Sequence, residues 1–315
     1  MFRYLSLEEG KYALSVKPPF GAAVYSSKII YREKPFEELT EAEIESAIAQ
    51  AIWKMFDDER RVFACRLNLS ELDIVMADVR VLFMKLDGAL VVNPLGFRAR
   101  TLEIGLVETL VARDVSENIY ARAPKKGEIA FALESSSSCA WAIRQDSKNK
   151  EFIFANIFPS QTFVYRSAPD EKIYHLSDFP WGSENVISAV SSSLAVSPIV
   201  AKEVARRYAS GEMSSEVTRF LRPTVSKSFD IFFKGITTAV LGAKIRKPLV
   251  YAMSEDLSDL EIGGLSLPRS LPFKLSFLPF VSEDEIAYHE YSRMSTDSVF
   301  NRIAKRRMKW LMSHR

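Results

Sequence analysis

Apolar and polar positions sort the chain into extended and helical stretches. Residues 11–35 read as extended, interrupted by Pro18-Pro19 and Gly21. A helix follows. Thr40 is a natural N-cap, Glu43 completes a capping box, and Ile44, Ala47, Ile48, Ala51, Ile52 and Met55 recur at helical spacing to give one buried stripe. From residue 61 to 87 the pattern turns to strands, most plainly Ile74-Val75-Met76 and residues 79–83. Asp87-Gly88 and Asn93-Pro94-Leu95-Gly96 are turn signals, and residues 102–112 form another strand. The turn-prone stretch 122–127 reads as a boundary. Beyond it strands are expected at 129–133, 139–143, 152–157 and 162–165, joined by polar connections at 135–138 and 145–150. Residues 184–210 and 212–242 carry two or three helices with Gly211 as a breaker, 249–253 is a short buried strand, and 254–282 is loop and strand. The mixture predicts an α/β fold.

Composition narrows the class. The 315 residues suit one large domain or two ordinary ones, and 47% apolar with 26% charged residues excludes a disordered or collagen-like chain. No run approaches the roughly 18 apolar residues of a membrane span, and MFRYLSLEEG lacks the apolar core of a signal peptide. Cys65 and Cys139 form no CxxC, which argues for a reducing compartment and against structural zinc. The expected location is the cytoplasm. His175, His289 and His314 are scattered, leaving little material for a metal site or a triad. Only 12 glycines are present, none between Gly127 and Gly182, and no Walker loop, GxSxG, HExxH or GxGxxG occurs. No motif supports an enzyme.

Charge is uneven. From Val299 to Arg315 there are six Lys/Arg and no Asp or Glu, leaving 36 basic against 40 acidic residues in the body. On a helical projection Val299, Trp310, Ile303, Phe300, Leu311 and Ala304 form an apolar arc, with Met308 at its edge and Arg307 inside it. Asn301, Lys305, Lys309, Arg302 and Arg306 lie opposite, and Asp297 or Ser298 is placed to cap the start. Such a helix suits an anionic membrane surface, a packed position on the body, or a nucleic-acid tail. Elsewhere the bland reading prevails. Ser135–Ser138 is a plain loop rather than a phosphate turn, Arg206-Arg207 a solvent face, Glu283-Asp284-Glu285 a helix start, and Cys139 beside Trp141 a small buried hydrophobe. Asp87 and Asp146 have no partner at catalytic spacing.

The run DGALVVNPLGFRARTLEIGLVETLVA, from Asp87 to Ala112, resembles the small inserted α/β subdomain of the bacterial cell-division FtsA family, an architecture shared by PilM pilus-assembly proteins within the actin-like superfamily. WGSENVISAVSSSLAVSPIVAKEVARRYASG is similar to helices of that family's second actin-like subdomain, and SVFNRIAKRRMKWLMSHR to its membrane-targeting helix. The resemblance implies an actin-like (ribonuclease H-like) lobe with an FtsA-type inserted subdomain. Residues 1–24 would be a remnant of the first subdomain, 25–118 the insert, 127–295 the second lobe and 296–315 the targeting helix. Departures fall at the nucleotide site. No DxG loop is present, CAWAIRQDSKNK stands where a second phosphate loop is expected, and Ile187, Ala189, Lys202, Ala205 and Gly182-Ser183 replace the family's contacts. ATP and magnesium belong to the family, but here no cofactor and no catalytic residue is expected, a pseudo-ATPase.

The function this implies is a division scaffold at the septum. Residues 184–245 would bind the C-terminal peptide of a tubulin-like FtsZ polymer, and Phe300, Arg302, Ile303, Lys305, Arg306, Arg307, Lys309, Trp310 and Leu311 would meet the inner membrane. Self-association through the insert is also implied; a nucleic-acid partner is not. The alternatives are a PilM-like cytoplasmic adaptor for a pilus membrane protein, which needs no lipid-binding tail, and an active ATPase with unrecognised phosphate loops.

Overall fold

The computed structural model describes residues 1–8, 10–123, 127–170, 172–257, 271–293 and 299–313. In chain order its elements are β1 (Phe2–Glu8), β2 (Lys11–Val16), β3 (Gly21–Tyr31), α1 (Glu41–Leu67), β4 (Ile74–Leu86), β5 (Ala89–Val91), β6 (Thr101–Ala112), α2 (Arg113–Ala121) and β7 (Glu128–Glu134). They continue with α3 (Ser135–Asp146), β8 (Phe152–Ile157), β9 (Thr162–Ser167), β10 (Ile173–Phe179), α4 (Ser183–Leu194), α5 (Pro198–Ala209), α6 (Ser215–Ser228) and α7 (Asp230–Ala243). The last are β11 (Leu249–Ser254), β12 (Lys274–Phe277), α8 (Glu283–Arg293) and α9 (Val299–Ser313). The class is α/β. The chain divides into two compact units, one of Met1–Ala142, Asp170–Tyr174 and Ser282–Arg315, the other of Ile143–Pro169 and His175–Val281.

In the first unit β1 and β2 form an antiparallel hairpin whose second strand pairs in parallel with β7. A second sheet runs β3-β6-β4-β5, antiparallel throughout. β3 and β6 pair along their whole length, from Gly21↔Val111 to Tyr31↔Thr101. The β4–β5 connection is the Asp-Gly turn the sequence announces: Asp87 and Gly88 have φ of 47° and 85°, the pair of left-handed residues that a tight hairpin needs. The Asp87 carboxylate also accepts from the amides of Arg100 (2.9 Å) and Thr101 (2.8 Å), and these bonds hold it below the usual carboxylate range. α1 begins as expected, with Thr40 Oγ1 accepting from the Glu43 amide, and lays Ile44, Ile48, Ile52 and Phe56 on Leu102, Ile104, Leu106 and Leu110. It runs on through residues 61–67, where strand was expected. Its buried stripe continues at Glu59, Phe63 and Ala64, and Asn68 in the left-handed region ends it.

The second unit has the sheet order β12-β11-β8-β9-β10. β8 is antiparallel to β9 and parallel to β11, and β11 is parallel to β12. A meander whose first strand lies beside a parallel pair contributed later in the chain is the order of a ribonuclease H-like lobe. α4 to α7 fill the crossover from β10 to β11 and pack around Trp181, Phe229, Phe232 and Phe233. Gly211, at φ 70°, separates α5 from α6 as the sequence predicts.

The units do not follow the boundaries read in the sequence. β7 completes the β1–β2 sheet with a register from Lys11↔Glu128 to Val16↔Glu134, so the strands before and after the stretch 122–127 lie in one unit. Residues 1–24, 25–118 and 127–142 therefore belong to one unit, and α8 and α9 belong to it as well. Part of the stretch 254–282 lies outside the described residues.

Candidate functional site

α9 forms over the expected residues, with its apolar side packed against protein. Ile303, Ala304 and Met308 are buried among α1 and β4 side chains, and Phe300 is half-buried beside them. Asn301 Oδ1 accepts from the Val81 amide at 2.7 Å, at an irregularity of β4 beyond the reach of three-residue β5. α9 thus covers an edge that would otherwise present unpaired backbone groups. Lys305 donates to the Ala130 carbonyl, and Arg306 and Arg307 both reach Glu45 of α1, at 2.7 and 3.0 Å. Arg302 and Lys309 point outward, and Trp310 is 53% exposed. The side chain of Leu311 and the candidate caps Asp297 and Ser298 lie outside the described residues. The arc that the sequence offers to lipid is, at Ile303 and Ala304, part of the core.

Beneath α8 and α9 lies a buried polar cluster that sequence reading missed. Arg80 Nη1 donates to Glu290 Oε2 of α8 at 2.6 Å, with Asp78 3.4 Å away and the Phe131 ring below the guanidinium. Tyr25 donates to Glu290 Oε1 (2.8 Å), contacts Ser138 Oγ (2.9 Å) and stacks on Trp141. Burial opposes the Arg80 charge, but Glu290, Tyr25 and Asp78 outweigh it and raise its pKa. Burial also raises Asp78, against the pull of Arg80 and Lys305. These groups sit 25, 80, 138 and 290 residues into the chain, so no local motif could reveal them.

The positions at which the resemblance would place nucleotide contacts differ in their surroundings: Ile187 and Ala205 are buried, whereas Lys202 is largely exposed and Ala189 lines an open pocket. Residues 139–143, expected as strand, are helical in α3 together with Ser135–Ser138. The Glu134 carboxylate accepts from the amides of Ser136 (2.8 Å) and Ser137 (3.0 Å), filling the helix N-terminus where an anion would bind. Cys139 is buried, and burial with nearby Glu134 pushes its thiol up to about 12. Ile187 and Ala205 belong to the second unit's core. Lys202 pairs with Asp256 at 2.7 Å, which also accepts from Ser183. Gly182 is required for close approach: a Cβ there would lie 2.1 Å from the Phe158 carbonyl oxygen.

The helical layer carries an open pocket of about 420 Å³ between α4, α6 and the start of α7, lined by Asn185, Ala189, Thr224, Lys227, Ser228 and Ile231. Phe220 stands exposed one helical turn before Thr224 on α6, and the lining residue Ile231 at the start of α7 is exposed as well. Among the described residues no group of His, Cys, Asp or Glu is arranged to hold a metal, and no single helix is long and apolar enough to cross a membrane.

No protein-family model and no curated protein matches the chain. Three solved structures are similar to it. A chain of a structure described as a PilM-PilN type IV pilus biogenesis complex is 12% identical, with a TM-score of 0.40 over 95% of this chain and 79% of that one. The ethanolamine utilization protein EutJ from Carboxydothermus hydrogenoformans is 13% identical, with a TM-score of 0.34 over 49% and 52%. A glycerol dehydratase reactivase is 15% identical, with a TM-score of 0.23 over 60% and 34%.

Proposed function

We propose that this chain is a cytoplasmic adaptor of the actin-like superfamily, acting in the PilM manner without ATP turnover, which holds a segment of a partner protein on the α4–α7 layer. The observation that carries this reading is the docking of α9. A helix whose Ile303, Ala304 and Met308 lie in the core and whose Asn301 accepts from the β4 edge has its apolar side engaged by protein, which favours an adaptor over a lipid-bound helix. The pocket beside exposed Phe220 and Ile231 supplies a place for a partner segment. Residues 198–247 hold ten Lys/Arg against four Asp/Glu, so that segment is expected to be acidic.

The FtsA-type reading, a tether between an FtsZ polymer and the inner membrane, keeps one observation in its favour: Arg302, Lys309 and Trp310 leave a basic and aromatic outer side on α9. Sedimentation of the full chain with phosphatidylglycerol vesicles separates the two. The adaptor reading expects the protein in the supernatant at low salt. Pelleting that salt weakens and that Trp310→Ala with Arg302→Glu abolishes would replace it with the tether. Calorimetric titration with magnesium-ATP is expected to give no binding heat, and a saturable heat would restore the active-ATPase alternative.

A further inference from the structure

We infer that Glu108 is a pH-sensitive latch in the first unit: as a neutral acid it lets α1 close on the sheet, and its ionisation loosens that contact. Glu108 lies in the middle of β6, opposite Val24 of β3 and Val79 of β4. Both valines belong to the apolar layer under α1, so the register turns Glu108 toward the same helix. Its residue exposure is 0%, and neither carboxyl oxygen has a hydrogen-bond partner. Buried polar groups are seldom left this way, and a charged carboxylate in such a place is costlier still.

The nearby cations are each paired with another carboxylate, and the pull of Lys28 on Glu108 is outweighed by burial and Glu59. From α1 come Glu59 and Asp58, from β3 Lys28 and from the stretch 170–174 Lys172; β4 presents only Val79 at this register. Lys28 is paired with Asp58 at 2.8 Å, and Lys172 with Glu59 at 2.5 Å. Ionising Glu108 would set a second carboxylate beside Glu59 in the apolar layer. Burial first, and Glu59 next, push the Glu108 carboxyl well above its ordinary value. The direction of the effect follows. A carboxyl raised on folding binds its proton more tightly in the folded state, so stability falls as pH climbs from the unfolded value toward the folded one.

Melting of the full chain and of Glu108→Gln between pH 5 and pH 9 tests this. The variant is expected to gain on the wild type steadily with pH, ending roughly 4 °C or more above it at pH 9. A difference that stays constant across the range overturns the latch. If the variant does not fold, hydrogen exchange of the wild type decides, after correction for intrinsic rates. Residues 52–63 of α1 should lose protection from pH 6 to pH 9 while β8 and β11 keep theirs, and unchanged protection in α1 sinks the proposal.

Discussion

In the second unit Trp181, Phe229, Phe232 and Phe233 pack ring on ring, with centroids 4.7 to 6.1 Å apart, and the Trp181 indole N–H finds the Ser228 carbonyl at 2.7 Å. The first unit, beside its own apolar layers, also buries the carboxylates Asp78, Glu108, Glu134 and Glu290 together with Arg80. An aromatic core rests on area and shape, which are indifferent to pH. A buried ion pair is weak evidence for stability, because desolvation offsets attraction, but removing one partner leaves a charge with nothing to answer it. The first unit therefore uses charge to select where α8 and α9 sit, while the second uses volume to hold α4 to α7 together.

Three substitutions break or sharpen this contrast. Arg80→Ala strands Glu290 and Asp78 and should cost about 3–5 kcal/mol in denaturant unfolding. A loss under 1 kcal/mol would show that the cluster does not position α8. Gly182→Ala drives a methyl into the carbonyl oxygens of Phe158 and Pro159, and rigid backbone cannot yield as a side chain does. Its expected cost is about 1–3 kcal/mol, confined to the second unit by hydrogen exchange. Phe232→Leu keeps apolar character, so about 1 kcal/mol and no change in pH dependence is expected. A loss as large as that of Arg80→Ala would erase the distinction between the two cores.

Local signals were legible where a residue's partners lie within a few positions. Thr40 and Glu43 announce the start of α1, Asp87-Gly88 the β4–β5 turn, and Gly211 the break after α5. The end of α1 was hidden because the charged run Asp57–Arg61 precedes its last turns, and the buried stripe there passes through Glu59, a carboxylate that Lys172 pairs. α3 was hidden because four consecutive serines look like a loop. They form the first helical turn because Glu134 takes their amides. In the candidate site, the sequence showed that α9 is an amphipathic basic helix and could not show what its apolar side meets.

By itself, then, the sequence determined the α/β class, most of the strands, the turns that close them and the amphipathic character of α9, because periodicity and capping are written in neighbouring residues. Tertiary structure decided the rest. It joined β2 to β7 across more than a hundred residues, gathered Tyr25, Arg80, Ser138 and Glu290 into one cluster, and set Asn301 on the β4 edge so that α9 completes the first unit's core. An apolar arc satisfies a membrane and a protein core equally well, and only the presence of α1 and β4 at the right place distinguishes them.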